Sequence, residues 1–219
     1  MDVHTRIAQR LRTLRDARGY SLETLAARSG VSRSNISLIE RGQSSPTAAV
    51  LDKLAIGLSV ALASFFDDSA ADGRGGEPAS PAIRLADQPV WTDPASGYVR
   101  RRLSPGAPSP LQLVEVVFPA GATVALDSAV HDADIHQQVW LIDGCMRLTV
   151  GETPWMLETG DCLAMRLDQP IVFHNPGDTP ARYLVALTTV DEEVRHPAAA
   201  TRRAPARRGP AHPQTQGST

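Results

Sequence analysis

Apolar residues in the first 66 positions recur at the three- and four-residue spacing of helices rather than the alternation of strands. Ile7, Leu11 and Leu14 form the first apolar stripe, which stops at Gly19. Further inward positions are Leu22, Leu25 and Ala26, then Ile36 and Ile39, then Val50, Leu54 and Leu58, and a short turn over 62–66. The pattern predicts an all-α bundle of five short helices.

Capping residues punctuate this pattern. Ser21 precedes the second helix, which ends at Ser29 and Gly30, and Ser32 precedes the third, which ends at Arg41 and Gly42. The pair Ser45 and Pro46 predicts a cap followed by proline at the first position of the fourth helix.

Apolar periodicity disappears over residues 67–82, which are rich in Asp, Ala, Ser, Gly and Pro and predict a flexible linker. Short apolar runs then follow at 111–118, 139–142, 145–150 and 182–189. Turn signals separate them at 119–122, 143–144, 160–161 and 175–178. Residues 83–190 are therefore expected to form a small antiparallel β-barrel or sandwich, and residues 191–219 a disordered basic tail. The predicted fold class is a two-domain α + β chain.

Charge separates these segments more clearly than the overall net charge of −2 suggests. Residues 1–66 carry nine Lys and Arg against five Asp and Glu, a balance of +4. Residues 67–190 carry eight Lys and Arg against sixteen Asp and Glu, a net charge of −8. Residues 191–219 carry five against three, a net charge of +2. The N-terminal segment is therefore the part expected to approach phosphates.

Cellular location is predicted from features that the sequence lacks. No apolar run approaches the roughly 20 residues of a membrane span, and the N-terminus shows no export signal. Cys145 and Cys162 are then expected to be small core residues rather than a disulfide. These observations predict a cytoplasmic protein without membrane contact.

The run from Ser21 to Gly42 resembles the Xre and lambda-repressor-like helix-turn-helix family. Its pairs Leu25-Ala26, Gly30-Val31-Ser32, Ile36-Ser37 and Ile39-Glu40, with Gly42, fall at the spacing of that family. The resemblance covers about residues 4–66 and implies that the helix after Ser32 enters the major groove of double-stranded DNA. It also implies a structural ion pair between Arg15 and Glu40.

The DNA-contacting residues are predicted from this helix and from the resemblance. Helical geometry places Ser34, Ser37, Leu38 and Arg41 opposite the two isoleucines. The resemblance implies that Arg33, Ser34 and Leu38 read base edges, and that Ser32, Asn35, Gln43 and Ser44 contact the DNA backbone. Leu22 replaces the family's glutamine in the first motif helix. The alternative is that this helix packs in a bundle with a merely solvated polar face.

The second half resembles the cupin family, a double-stranded β-helix, over roughly residues 98–190. The residues that carry this resemblance are the runs 136–144, 157–161 and 175–178 together with Gly151. Cupin metal ligands would fall at His131, Ala133, Gln137 and Ile171, which leaves one strong ligand. We therefore expect no metal, no cofactor and no catalysis, although a three-residue shift in the count would restore His174.

Without a metal, the interior is expected to bind a small-molecule effector. The inward candidates are His131, Gln137, Val139, Leu141, Met165 and Ile171, with His136, Gln138 and His174 as reserves if the alternation differs by one residue. The run from Arg100 to Arg102 is interpreted as a solvated strand edge, with binding of an anionic effector as the alternative.

Together these features predict a transcription regulator that binds a palindromic operator as a homodimer and responds to an effector in its barrel. Two alternatives remain open. One is a metal-dependent cupin enzyme fused to a DNA-binding anchor. The other is an adaptor whose two domains bind only proteins.

Overall fold

The computed structural model describes residues 3–66, 80–107, 109–127 and 134–190. The α-helices lie in the first of these ranges and the strands in the others. The predicted tail at 191–219 and most of the predicted linker lie outside the described residues, although Ser80 to Ala82 are described and are neither helix nor strand.

Four α-helices and one 3₁₀ helix form the N-terminal bundle. They are α1 (Val3–Ala17), α2 (Leu22–Ser29), α3 (Arg33–Glu40), α4 (Ala48–Gly57) and the 3₁₀ helix η1 (Leu62–Phe66). The expectation of five α-helices is therefore wrong in its last member. A segment of five residues is too short to complete a stable α-helix, and the tighter 3₁₀ turn still buries Phe65 and Phe66.

The start of α4 differs from the predicted one by two residues. Thr47, rather than Ser45, caps the helix, because its side chain accepts a hydrogen bond from Val50 N at 3.3 Å. Pro46 lies before this cap, and the hydroxyl of Ser45 lies 3.0 Å from Nδ1 of His4 in α1. Serine and threonine both cap helices, so the local sequence does not show which of Ser45 and Thr47 is the cap. The contact of Ser45 with His4 leaves Thr47 to cap α4.

Helices α2 and α4 approach each other closely at Gly57. A Cβ atom on Gly57 would lie 2.9 Å from Cβ of Ser29 and 3.1 Å from its Cα and N. Ser29 is buried, and its hydroxyl donates a hydrogen bond to Leu25 O at 2.7 Å. The last turn of α4 therefore tolerates only glycine without movement of one helix.

We expect the substitution Gly57→Ala to lower the free energy of unfolding by about 1–2 kcal/mol, because overpacking outweighs the helix propensity of alanine. Chemical denaturation followed by circular dichroism measures this change. Helix propensity alone would stabilise the variant by up to about 1 kcal/mol, so a gain in stability would contradict the close contact.

Ten strands follow in the described part of the chain. They are β1 (Val90–Thr92), β2 (Val99–Arg102), β3 (Leu111–Phe118), β4 (Thr123–Leu126), β5 (Asp134–Asp143), β6 (Cys145–Val150), β7 (Thr153–Glu158), β8 (Cys162–Arg166), β9 (Ile171–His174) and β10 (Ala181–Val190). A short 3₁₀ helix, η2 (Leu85–Asp87), precedes them. The four strands predicted from apolar runs correspond to β3, β5, β6 and β10.

The strands form two antiparallel sheets in the orders β1-β2-β3-β10-β5-β8 and β4-β9-β6-β7. Strands β3 to β10 follow the order of a double-sheet jelly roll, an architecture that includes the cupins. Of the two expected architectures, a barrel or a sandwich, the barrel is wrong, since each sheet has its own edge strands and the ladders of the two sheets are separate. The sheets instead face each other as a sandwich.

The interpretation of the run from Arg100 to Arg102 as a solvated edge strand is also wrong. Strand β2 is paired on both sides, with β1 and with β3, so it is not an edge. Side-chain alternation points Arg100 and Arg102 to one face, where Arg102 is buried. Arg101 points to the other face, and its Nε lies 3.5 Å from Glu115.

The buried apolar residues form one continuous cluster that extends from Ile7 in α1 to Leu187 in β10. The helical bundle and the jelly roll therefore share a core surface rather than meeting only through the chain. None of the helices in the described ranges is long and apolar enough to cross a membrane.

Candidate DNA-binding helix and interdomain cavity

Helix α3 is positioned by its cap, a tight turn and two buried isoleucines. The hydroxyl of Ser32 accepts a hydrogen bond from Asn35 N at 3.3 Å, which fixes the start of the helix. Gly30 has a positive φ of 68°, a conformation that glycine adopts readily, and it ends α2. Ile36 and Ile39 are completely or almost completely buried against the bundle. The opposite side of α3 therefore faces outward.

The nine residues predicted to contact DNA lie on or beside this outward side, and none of them is buried. Six are exposed, namely Ser32, Arg33, Ser34, Leu38, Arg41 and Gln43. Three are half-buried, namely Asn35, Ser37 and Ser44. Leu38 is 38 % exposed and adds an apolar side chain to this face. Within the described part of the chain, this face is therefore open to solvent.

Arg33 begins α3 and its guanidinium is held loosely. Its Nε lies 2.7 Å from Oε1 of Glu23 in α2, and both side chains are 65 % exposed. An exposed ion pair of this kind contributes little to stability, at most about 1 kcal/mol. The arginine can therefore leave Glu23 for a phosphate or a base edge at low cost.

The ion pair implied between Arg15 and Glu40 is confirmed. Two parallel hydrogen bonds, of 2.7 Å and 3.0 Å, join the guanidinium to the carboxylate, and Arg15 also donates to Tyr20 O. The hydrogen bond to Glu40 raises the pKa of Arg15. Because Glu40 ends α3 and Arg15 belongs to α1, the pair fixes the orientation of the outward helix.

A cavity of about 60 Å³ lies where the jelly roll meets α4 and η1. Most of its wall is apolar and comes from both sheets, for example from Val116, Phe173 and Leu187. Ala55 and Leu62 contribute from the helical bundle. The cavity is therefore shared between the two parts of the chain.

Polar groups in the cavity wall are few. They are the amide of Gln137, the hydroxyls of Tyr98 and Tyr183, and two charged groups, Asp52 in α4 and Arg100 in β2. Burial raises the pKa of Tyr98 to about 12 and that of Tyr183 well above its usual value, and Arg100 opposes both shifts. Both tyrosines are therefore neutral hydrogen-bonding groups at physiological pH.

Two hydrogen bonds from backbone amides connect the helical bundle to the jelly roll beside this cavity. Ala48 N, at the start of α4, donates to Oδ1 of Asp93 at 2.9 Å. Asp127 N, after β4, donates to Oδ2 of Asp52 at 2.6 Å. Each bond uses a buried carboxylate. The N-terminus of α4 is thus capped from the jelly roll as well as by Thr47.

Phe66, the last residue of η1, makes the third connection. Its carbonyl accepts a hydrogen bond from Nη1 of Arg102 at 2.9 Å, and Arg100 lies over its ring at 5.2 Å. The same ring begins a series of aromatic contacts, each 5.5–6.4 Å between centroids. The series runs through Phe66, Trp91, Tyr98, Phe118, Tyr183 and Phe173. Its last four members line the cavity.

The sequence of the helical bundle matches a known protein family. The helix-turn-helix family HTH_3 matches residues 11–65, which include the capped turn and α3. The N-terminal domain is an HTH_3 helix-turn-helix domain. The chain is also 28 % identical over 173 residues to the HTH-type transcriptional regulator SutR of Escherichia coli (strain K12), a match that covers 79 % of this chain and 89 % of SutR.

Solved structures resemble both parts of the chain. An HTH_3 family transcriptional regulator from Vibrio cholerae matches with a TM-score of 0.66 and 25 % identity, over 87 % of this chain and all of that one. The cupin domain of an XRE family transcriptional regulator from Enterobacter cloacae matches 43 % of this chain and covers 98 % of its own, with a TM-score of 0.40 and 16 % identity.

The predicted effector residues fall in different places in the structure. Gln137 and Ile171 line the cavity shared with the HTH_3 domain. Among the described residues, Val139, Leu141 and Met165 are buried outside the lining, and Met165 Sδ lies 4.0 Å from Nε2 of Gln137.

Three histidines and one glutamine complete the set of predicted effector residues. His136 and Gln138 point outward from β5. His174 lies in β9, where its Nδ1 is 2.9 Å from Oγ1 of Thr123 and 3.2 Å from Ala122 O. His131 lies outside the described residues. Within the described ranges, no three His, Cys, Asp or Glu side chains are grouped so that they could hold a metal ion.

Sequence reasoning missed several residues at the boundary between the HTH_3 domain and the jelly roll. Asp52 and Asp93 have no local pattern that distinguishes them from surface carboxylates. Tyr98 was not singled out, and Arg100 and Arg102 were named only within the run whose alternative role was to bind an anionic effector. Alternation along a strand would have placed all three on one face.

Proposed function

We propose that this protein is a sequence-specific DNA-binding transcription regulator whose jelly roll responds to a small molecule. The observation that carries the proposal is the outward face of α3, which is accessible, polar and fixed in orientation by the Arg15–Glu40 pair. Three further observations support the proposal. Residues 11–65 match the HTH_3 family, residues 1–66 carry a net positive charge, and the related protein SutR is named as a transcriptional regulator.

In this proposal Arg33, Ser34 and Leu38 read base edges, with Ser37 and Arg41 beside them. Ser32, Asn35, Gln43 and Ser44 contact phosphates at the two ends of the helix. A single helix of eight residues contacts few base pairs, so two copies of the chain bind a palindromic site. The cavity beside α4 is the effector site, and residues 67–82 separate the DNA-binding part from the sensing part.

Selection of bound DNA from a random pool, with the full chain, tests the proposal directly. We expect an enriched palindrome whose binding weakens steeply with salt, because Lys and Arg displace counterions from the phosphates. If the pool yields no enriched sequence and binding to all DNA is equally weak, the protein is not a sequence-specific regulator. An enriched site without twofold symmetry would contradict the dimer.

The substitution Arg33→Ala is expected to weaken binding to the selected site by about 1–3 kcal/mol and binding to random DNA by less. The arginine can form paired hydrogen bonds with a base edge in the selected site, whereas binding to random DNA relies on phosphate contacts and seldom places the matching base beside it. Titration of both DNAs by fluorescence anisotropy measures the two losses.

The matched control for this prediction is Arg147→Ala, which removes one exposed positive charge from β6 of the jelly roll. It should change neither affinity appreciably. Equal losses on specific and random DNA for Arg33→Ala would assign Arg33 to backbone contact instead of base reading.

A further inference from the structure

Side chains of the six-stranded sheet alternate between an inner face, which holds the core, and an outer face. Val114 and Val116 on β3 and Val185 and Leu187 on β10 are buried on the inner face. The residues that alternate with them therefore point away from the sandwich. In an antiparallel sheet with one solvated face, such outward positions are usually polar. The composition of the outer face therefore indicates whether it meets water or another surface.

The centre of the outer face is apolar. Leu113 pairs with Ala186, and Leu184 pairs with Trp140. Ala164 on β8 lies diagonally opposite Trp140. Among the described residues, Trp140 is 47 % exposed and Ala164 is also exposed. These five residues form one continuous group across β3, β10, β5 and β8, which we call the apolar centre.

Charged residues border the apolar centre. On one side, the carboxylate of Glu115 on β3 lies 3.5 Å from Nε of Arg101 on β2 and 3.4 Å from Nε of Arg182 on β10. On the other side lie His136 and Arg166, which are ladder partners on β5 and β8. An apolar centre within a polar border is typical of interfaces between proteins.

The outer face of the four-stranded sheet has a different composition. A row of polar residues, Thr123, His174 and Arg147, crosses β4, β9 and β6 there. The row ends at Met156 on the edge strand β7, which is 50 % exposed. The middle of this face therefore suits water, whereas the middle of the six-stranded face suits an apolar partner.

The six-stranded face is close to the size of a stable interface. Its three longest strands have eight or ten residues and are about 27–34 Å long. Six strands spaced about 4.8 Å apart span about 24 Å. With its shorter strands the face measures on the order of 600 Å², and its projecting side chains enlarge this area. Standard interfaces bury about 800 Å² per partner, so most of the face would take part.

We infer that two copies of this chain associate through the outer faces of their six-stranded sheets, with Leu184 and Ala186 near the middle of the interface. A second copy matches the face because an apolar centre can pack against an identical one. The charges agree with this partner. The border carries both signs, in Glu115 and in Arg101 and Arg182, so it can pair with an identical border.

The inference deepens the proposed function, in which two copies bind a palindrome, by assigning the contact between them to the jelly roll. The HTH_3 domain is hydrogen-bonded to the jelly roll through the Ala48 and Asp127 amides. Association of two jelly rolls therefore sets the spacing of the two α3 helices on DNA.

Sedimentation velocity of the full chain without DNA, at nanomolar to micromolar concentrations, tests the inference. We expect a dimer at micromolar concentration. Leu184→Lys places a positive charge in the apolar centre of each copy, so the dissociation constant should rise at least about 100-fold. Glu115 is the ladder partner of Leu184 and can accept this charge within one chain, so the variant should fold, which circular dichroism checks.

The matched control is Met156→Lys, which adds the same charge at an exposed apolar position on the outer face of the other sheet. It should leave the dissociation constant unchanged. If Leu184→Lys does not fold, Ala164→Lys takes its place, because Ala164 is exposed and its substitution disturbs no core contact. This variant should raise the dissociation constant at least about tenfold.

A chain that stays monomeric at micromolar concentration would overturn the inference. So would a dimer that survives both lysine substitutions in the apolar centre, or one that dissociates equally with Met156→Lys. The selection experiment on DNA is independent of these measurements. A chain that selects a palindrome but whose dimer ignores the apolar centre would overturn only this inference. A dimer that dissociates as expected but selects no DNA would overturn only the proposed function.

Discussion

Replacement of Glu40 by alanine is expected to lower the free energy of unfolding by about 3 kcal/mol. The side chains of Arg15 and Glu40 are only 13 % and 10 % exposed, so removal of the carboxylate leaves a largely buried guanidinium without its main partner. The loss should lie at the lower end of the range for buried pairs, because Asp16 remains 2.8 Å from Nη1 of Arg15. Urea denaturation of the full chain measures it.

Two further variants show whether the pair itself is responsible. Arg12→Ala, which disrupts an exposed pair with Asp16 on the same helix, should cost less than about 1 kcal/mol. The double variant Arg15→Met with Glu40→Leu should recover most of the stability, because neither charge is then stranded. A cost for Glu40→Ala that only equals that of Arg12→Ala would show that the pair does not anchor α3.

The substitution Trp91→Ala is expected to have the largest effect on the jelly roll and on its contact with the HTH_3 domain. Trp91 is 1 % exposed, and its ring lies between Phe66 and Tyr98, with centroid distances of 5.5 Å and 5.6 Å. Truncation of such a side chain typically costs about 3–5 kcal/mol. We expect the unfolding midpoint in urea to fall accordingly, and the Ala48 amide to lose protection from exchange.

Trp91→Phe distinguishes ring packing from hydrogen bonding. Within the described part of the chain, Nε1 of Trp91 is buried without a hydrogen-bond partner, so phenylalanine removes an unsatisfied donor while it keeps an aromatic ring. Trp91→Phe should therefore lower the free energy of unfolding by well under half as much as Trp91→Ala does. Trp155→Ala, at a half-exposed position on β7, is the matched control and should change stability by less than about 0.5 kcal/mol. Equal costs for Trp91→Phe and Trp91→Ala would refute the packing argument.

The helical part of the fold could be predicted from the sequence because its determinants are local. Ser21 and Ser32 cap α2 and α3 as expected, and the buried faces of α1 to α3 follow the helical spacing of apolar residues. The two errors fall at the boundary with the jelly roll. The start of α4 depends on contacts with His4 and Asp93, and η1 is shaped by the wall it packs against.

The jelly roll was predicted less completely because its strands are identified by their partners. Strands β3, β6 and β10 are apolar enough to be recognised alone. In contrast, β1 is only three residues long and β2 has a single apolar residue, and the two lie in the sheet because β3 pairs with β2. The same limit applies to the cavity. Gln137 was identified through the resemblance to the cupin family, but Asp52 and Leu62 reach the cavity from a domain whose placement no local pattern encodes.

The capping of α4 by Asp93 has a consequence for engineering. Regulators of two parts are often treated as modular, so that a DNA-binding head can be transplanted onto another sensor. Here a transplanted HTH_3 domain would lose the Asp93 carboxylate that caps α4. It would also lose Trp91, against which the ring of Phe66 packs. A chimaera joined within residues 67–82 would lose these contacts and those of Arg102 and Asp127, so the HTH_3 domain of this chain is not expected to function when it is moved without its jelly roll.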